Sequence, residues 1–247
     1  DNTITSSNLN GGGGGMFLND CSVELLDVNF NNNVSNSHGG AIKSNNSSVT
    51  FSNGIISNNN SINAGGGLYS NNTIVNIDNL EINGNQSDNG GGLFVYKGVF
   101  VADSILFSGN ISSIGGGAYI DDTDETAIIT SSRFIQNEAQ NGGGLFSNGS
   151  CSVDISKSFF DDNHGAVAAA VYMQNNGLSQ INQSTFLNHS ITSDDSNDPS
   201  AIYITGSGAD VGIRNSIFYY NNDNDIRINN GGYLILTYSN IEDGQSG

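Results

Sequence analysis

Two carboxylates, Asp78 and Asp103, stand four residues before Ile82 and Phe107, which mark the same point in consecutive repeats. They therefore fall at equivalent, stacked, outward places. Paired carboxylates so placed suit acid–base cleavage of a glycosidic bond, or the holding of a cation. No Lys or Arg shares that place in the adjoining repeats; Arg214 shares it only several repeats away. Two acidic neighbours on a solvated face are the competing reading. Asp121, Asp122, Asp124 and Glu125 form the densest acidic turn, with oxygens suited to Ca²⁺, yet they follow no recognised Ca²⁺-loop pattern. A solvated turn accounts for them too. His38, His164 and His189 fall at three different places in the repeat and so do not converge as a metal site or a triad. Asp194, Asp195 and Asp198, beside the single proline, mark an insertion, and loops extruded from a solenoid often carry function.

One column offers a surface rather than a reaction. Phe17, Ile42, Tyr69, Phe94, Tyr119 and Phe146 each follow a Gly run, Tyr172 takes the same place after Ala168-Ala169-Ala170, and all are expected to stack along one sheet. Facing outward, with Tyr69, Phe94, Tyr119, Phe146 and Tyr172 as its body, the column is a ligand or lateral-contact stripe for sugars or another filament. Facing inward, it is core. Ten Asn-x-Ser/Thr sequons also stand out. Asn33, Asn59, Asn85 and Asn110 coincide with a repeated Asn expected to be bonded and unmodified. Asn45, Asn46, Asn71, Asn148, Asn182 and Asn188 remain as glycosylation candidates, against the reading that sequons arise freely in so Asn- and Ser-rich a chain.

The elements that must position these groups follow from a period. An apolar residue followed three positions later by Asn recurs at Phe30–Asn33, Ile56–Asn59, Ile82–Asn85, Phe107–Asn110, Phe134–Asn137, Phe160–Asn163 and Phe218–Asn221. Phe186 joins the series with His189 in the Asn place, and Ile4 and Ile241 begin and end it. Successive anchors lie 26, 26, 26, 25, 27, 26, 26, 32 and 23 residues apart, a spacing that signals a solenoid. Val23, Val49 and Val75 seven residues before the anchors, and Leu25, Phe51 and Ile77 five before, alternate as one-sided strands do. Each repeat thus holds three short strands and three turns. The expected fold is all-β, a right-handed parallel β-helix of about nine coils of roughly 26 residues. Residues 1–247 then form a single solenoid, read as a segment of a longer one or of a stacked assembly. Asn33, Asn59, Asn85, Asn110, Asn137, Asn163 and Asn221 are expected to form a side-chain ladder along it.

Composition narrows the functions. The 247 residues include 33 Gly, 40 Asn, one Pro and no Trp, which disfavours helix. The net charge of −18, with six Lys plus Arg, excludes nucleic-acid binding and attraction to an anionic membrane. No apolar run is long enough to span a bilayer. No leader is visible, but Asp1 reads as an internal residue, so that says little. Cys21 and Cys151 share one repeat place five coils apart, roughly 24 Å along the axis at the strand spacing, too far for a disulfide. Regular Thr-x-Thr ranks of an ice-binding face are missing; only Thr3-Ile4-Thr5 fits.

Gly39-Gly40-Ala41-Ile42, and the Phe-x-x-Asn tetrapeptides opened by Phe30, Phe107, Phe134, Phe160 and Phe218, resemble the repeats of chlamydial polymorphic outer-membrane proteins and related β-helix adhesins. The resemblance runs over nearly the whole chain. It implies surface display, with adhesion as the usual role. The chain departs from that family in its many sequons and in showing no transporter barrel. The expectation is therefore a non-catalytic extracellular or cell-surface rod serving as spacer, adhesin or fibre subunit. Its expected partners are carbohydrate, other surface proteins or further copies of itself. A polysaccharide-active enzyme on the same fold is the alternative. No cofactor is expected beyond Ca²⁺ at the acidic turn.

Overall fold

Alternating apolar residues can bury one edge of a strand, and only stacking on the next repeat pairs its backbone. The computed structural model, which describes residues 2–4, 7–8, 12–175, 177–192, 199–221 and 224–241, shows that solution throughout. Asp194, Asp195, Asp198 and Thr5 lie outside the described residues. Every strand pair among the described residues is parallel. On the first face, Met16, Ile42, Leu68, Leu93, Ala118, Leu145, Val171, Ile202 and Ile226 stand in one line. The second face aligns Leu25, Phe51, Ile77, Ala102, Ile129, Ile155, Ile181, Ile213 and Leu236. The third aligns the repeat anchors, from Ile4 and Phe30 to Phe218 and Ile241. The chain is a parallel β-helix of about eight turns.

Between the third and first faces runs a fourth, shorter ladder: Val34, Asn60, Gln86, Ile111, Glu138, His164 and Ser190. Its segments are too brief for alternation to reveal. The corners are made by left-handed residues, for example Asn72 (φ 49°), Asn79 (φ 49°), Gly84 (φ 60°) and Gly90 (φ 60°) within one coil. Asn tolerates this conformation better than other residues with a side chain, which explains part of its abundance. At two corners the side chains also bond along the axis, Asn72 Nδ2 donating to Asn46 Oδ1 at 2.9 Å and Asn79 Nδ2 to Asn53 Oδ1 at 2.8 Å.

The interior is filled by the aligned apolar residues. Phe107, Phe134, Phe160, Phe186 and Phe218 stack in sequence with centroids 4.5, 4.6, 4.8 and 4.7 Å apart, all fully buried. Beside them runs the Asn ladder. Each Nδ2 donates to the next Oδ1, from Asn33 through Asn59, Asn85, Asn110 and Asn137 to Asn163, at 2.8 to 3.0 Å. From Asn59 to Asn163 each Nδ2 also donates to an anchor carbonyl, as Asn85 does to Ile56 O at 2.9 Å. The amides are thereby both buried and satisfied. The Gly pairs next to the ladder let adjacent coils touch: a Cβ on Gly66 would stand 2.3 Å from Gly91 O and 2.6 Å from Gln86 N.

Candidate functional site

The residues after the Gly runs point out of the first sheet, because their neighbours on either side point in. Leu68 and Ser70 are buried while Tyr69 between them is half-exposed, and the same alternation holds around Phe94, Tyr119 and Tyr172. The column reads Phe17, Lys43, Tyr69, Phe94, Tyr119, Phe146, Tyr172, Tyr203 and Arg227. Ile42, assigned to it from sequence, pairs instead with Met16 and Leu68 in the core, one residue out of register. Tyr203 was missed because the long coil displaces it from the regular spacing.

The rings cover one another. Tyr69 and Phe94 are stacked at 5.5 Å, while Tyr119 stands edge-on to both Phe94 and Phe146 at 4.8 Å. Phe146 to Tyr172 and Tyr172 to Tyr203 follow at 4.9 Å. This self-packing leaves Phe146 only 4% exposed and Tyr203 9%, whereas Phe17 at the lower end is 52% exposed. The Lys43 ammonium lies 5.7 Å from the Phe17 centroid and the Arg227 guanidinium 5.5 Å from that of Tyr203. His38 packs on Tyr69 at 4.5 Å, and burial, then the charge of Lys43, holds its imidazole below the usual pKa. Burial, with Asp121 adding to it, pushes the Tyr119 phenol up to about 12.

Two residues further along each strand, a polar column runs parallel to the rings: Asn45, Asn71, Tyr96, Asp121, Asn148, Gln174 and Thr205. Asn148 Nδ2 donates to Asp121 Oδ1 at 3.1 Å. Burial raises the Asp121 pKa; the Asn148 bond opposes the shift and Asp122 adds to it. The side-chain amides of Asn45, Asn71 and Gln174 make no hydrogen bond among the described residues. Rings and open amides in adjacent rows form an amphipathic strip along the axis.

No family model, curated protein or solved structure matches the chain.

The remaining candidates are placed as follows. Asp78 and Asp103 are register partners in consecutive coils, outward as expected, and Asp103 accepts a hydrogen bond from the Thr130 hydroxyl above it. The column continues as Ser52 below and Ser156 and Asn182 above, so the nearest basic group in it is still Arg214. The acidic turn does not gather around a point. Asp121 bonds Asn148, Asp122 Oδ1 accepts from Ser150 N at 3.4 Å, and Asp124 Oδ2 accepts from Gly98 N at 3.1 Å. Among the described residues no group of three or more His, Cys, Asp or Glu is arranged to hold a metal ion.

The three histidines stay apart, but His164 finds partners that spacing did not suggest. On the fourth ladder it shares a 2.7 Å hydrogen bond with Ser190 Oγ, and its Nε2 is 3.5 Å from Asp162 Oδ1. With side chains 43% and 41% exposed, the His164–Asp162 contact is long and water-screened, weak orientation for a catalytic base. His189 is the opposite case, fully buried, with Nδ1 accepting from Asn163 N at 3.2 Å. Burial pushes its pKa down to about 3. Of the glycosylation candidates, Asn46 and Asn188 are exposed and Asn45, Asn71, Asn148 and Asn182 half-buried; the four ladder sequons are sealed in the core. Neither Cys21 nor Cys151 forms a disulfide, and the Cys151 thiol donates to Asn148 O at 3.2 Å.

Proposed function

We propose that the chain is a non-catalytic extracellular rod, working at a cell surface or in a matrix as spacer, adhesin or fibre subunit. The observation that carries the reading is the fully occupied interior: stacked Phe rings and a satisfied Asn ladder run through successive coils. Chemistry on such a rod has to sit on its outer faces, where Asp78 and Asp103 lack a cationic neighbour. The likeness to polymorphic outer-membrane repeats rests on the Gly-Gly-Ala-Ile and Phe-x-x-Asn tetrapeptides alone. It supports adhesion as the role. Glycan attachment at Asn45, Asn46, Asn71, Asn148, Asn182 or Asn188 belongs to the same reading. Self-association does too, end to end or side by side, because each parallel rung offers the next the same hydrogen-bonding edge.

Incubation with polygalacturonate, alginate and neutral glucans, with and without Ca²⁺, tests the proposal. No chain shortening is expected. Product formation that disappears in Asp103→Ala would replace the rod with the second reading, a polysaccharide-active enzyme using Asp78 and Asp103. Electron microscopy of native material is expected to show rods or fibres with this solenoid as their core.

A further inference from the structure

The strip on the first face fits a ligand more specific than adhesion requires. Resting on the non-catalytic reading above, we infer that the row from Tyr69 to Tyr203, flanked by Asn45, Asn71 and Gln174, binds a neutral polysaccharide chain lying parallel to the solenoid axis. Three observations lead there. First, the site is linear: its rings repeat at 5.5, 4.8, 4.8, 4.9 and 4.9 Å, so it spans roughly 25 Å along the axis at the coil spacing. A polymer that repeats its own units can engage such a row at several points, whereas a compact ligand engages one.

Second, the chemistry is two-sided. A sugar ring presents carbon-bound hydrogens on its faces and hydroxyls around its rim. The part-exposed rings Tyr69, Phe94, Tyr119 and Tyr172 meet the former, and unbonded carboxamides, each both donor and acceptor, stand beside them for the latter. Tyr119 turns away from the planes of both neighbours, by 69° and 73°, so the row is not a uniform stack with every face hidden. Third, charge selects the class. The chain carries −18, Asp121 stands in the polar row between Asn45 and Thr205, and the cations beside the strip, Lys43, Lys97 and Arg227, already lie over the Phe17, Tyr96 and Tyr203 rings, which favours a neutral polysaccharide over an acidic one.

Affinity electrophoresis against hydroxyethyl cellulose, xyloglucan, β-1,3-glucan and dextran, with polygalacturonate and alginate as acidic controls, reads this directly. At least one neutral polymer is expected to retard the native chain, and the acidic ones not. Affinity for oligosaccharides of that polymer is expected to rise with length until they span about 25 Å. The double variant Asn71→Ala/Gln174→Ala, which breaks no bond of the fold, is expected to bind about tenfold more weakly. Tyr69→Ala/Tyr172→Ala, checked for folding by circular dichroism, is expected to bind more weakly still. The inference falls if no neutral polymer retards the chain, if only acidic ones do, if affinity stops rising at a disaccharide, or if both variants bind like the native chain. Absence of retardation leaves the non-catalytic rod standing. Shortened products in the gel would instead overturn the rod and leave the strip.

Discussion

His189 replaces an amide in a ladder where every other member from Asn33 to Asn163 is Asn. An Asn at that level has an amide nitrogen to give and an oxygen to receive. The imidazole accepts from Asn163 N through Nδ1, and its Nε2 is buried without a hydrogen bond. Protonation would place a charge in that core, which is why burial drives its pKa from 6.5 to about 3. The folded value lies below the unfolded one, so the stability cost is absent above pH 6.5 and grows as pH falls toward 3. At pH 4 it amounts to about 3 kcal/mol. Asp121 and Asp154, whose pKa values burial raises, change stability in the opposite sense over the acid range. His189→Asn is therefore compared with the native chain as a difference. The variant is expected to match or exceed native stability at pH 7 and to gain steadily on it below pH 6.5, measured by urea melts at several pH values. A pH-independent difference would show that the imidazole is not held neutral by the core.

Within one coil, the same residue type serves two purposes, and the elements distinguish them. Asn85 is sealed in the ladder; its Oδ1 accepts from both Asn59 N and Asn59 Nδ2, and its Nδ2 donates to Ile56 O and to Asn110 Oδ1. Asn85→Ala strands those buried donors and is expected to cost about 3 kcal/mol or more by urea denaturation. Asn72 sits at an exposed left-handed corner, and its bond to Asn46 faces water. Asn72→Gly keeps the backbone conformation and is expected to change stability by less than about 1 kcal/mol. Equal losses at the two sites would sink the distinction. Gly66 has a third requirement, close approach. Because its added Cβ would meet only backbone atoms of the next coil, Gly66→Ala is expected to cost about 3 kcal/mol, visible as a lowered thermal midpoint. The anchors, the ladder and the alternating strands were legible because each repeats at one period. The fourth ladder and the left-handed corners were not, since their residues vary from coil to coil and only the backbone conformation recurs. The single-residue error at Ile42 has the same origin: two apolar residues follow the Gly pair there, and only the register shows that Lys43 takes the outward place.

As a whole the molecule is a narrow acidic rod, about 40 Å long over the described turns at the coil spacing. The chain carries a net charge of −18, and its outer faces also carry exposed Phe17, Ile62, Ile74, Ile111 and Leu178. Repulsion between rods is expected to hold them apart at low ionic strength, with lateral association increasing as salt screens the charge or as pH approaches 4.1. Sedimentation velocity across a salt series checks this, and a coefficient insensitive to salt and pH would refute it. By itself the sequence determined the architecture, because a 26-residue period of short alternating strands, with no segment long enough for a helix, pairs its backbone and buries its apolar side by stacking coil on coil. It also determined the ladder and the impossibility of an internal disulfide, both of which depend on spacing alone. The tertiary structure decided everything that depends on direction and neighbours. The aromatic row points outward yet packs on itself, the acidic turn disperses into separate hydrogen bonds, and Asn45, Asn71 and Gln174 are left open beside the rings. A period says which residues stack, whereas the side of the sheet and the packing between coils determine what a stacked column can touch.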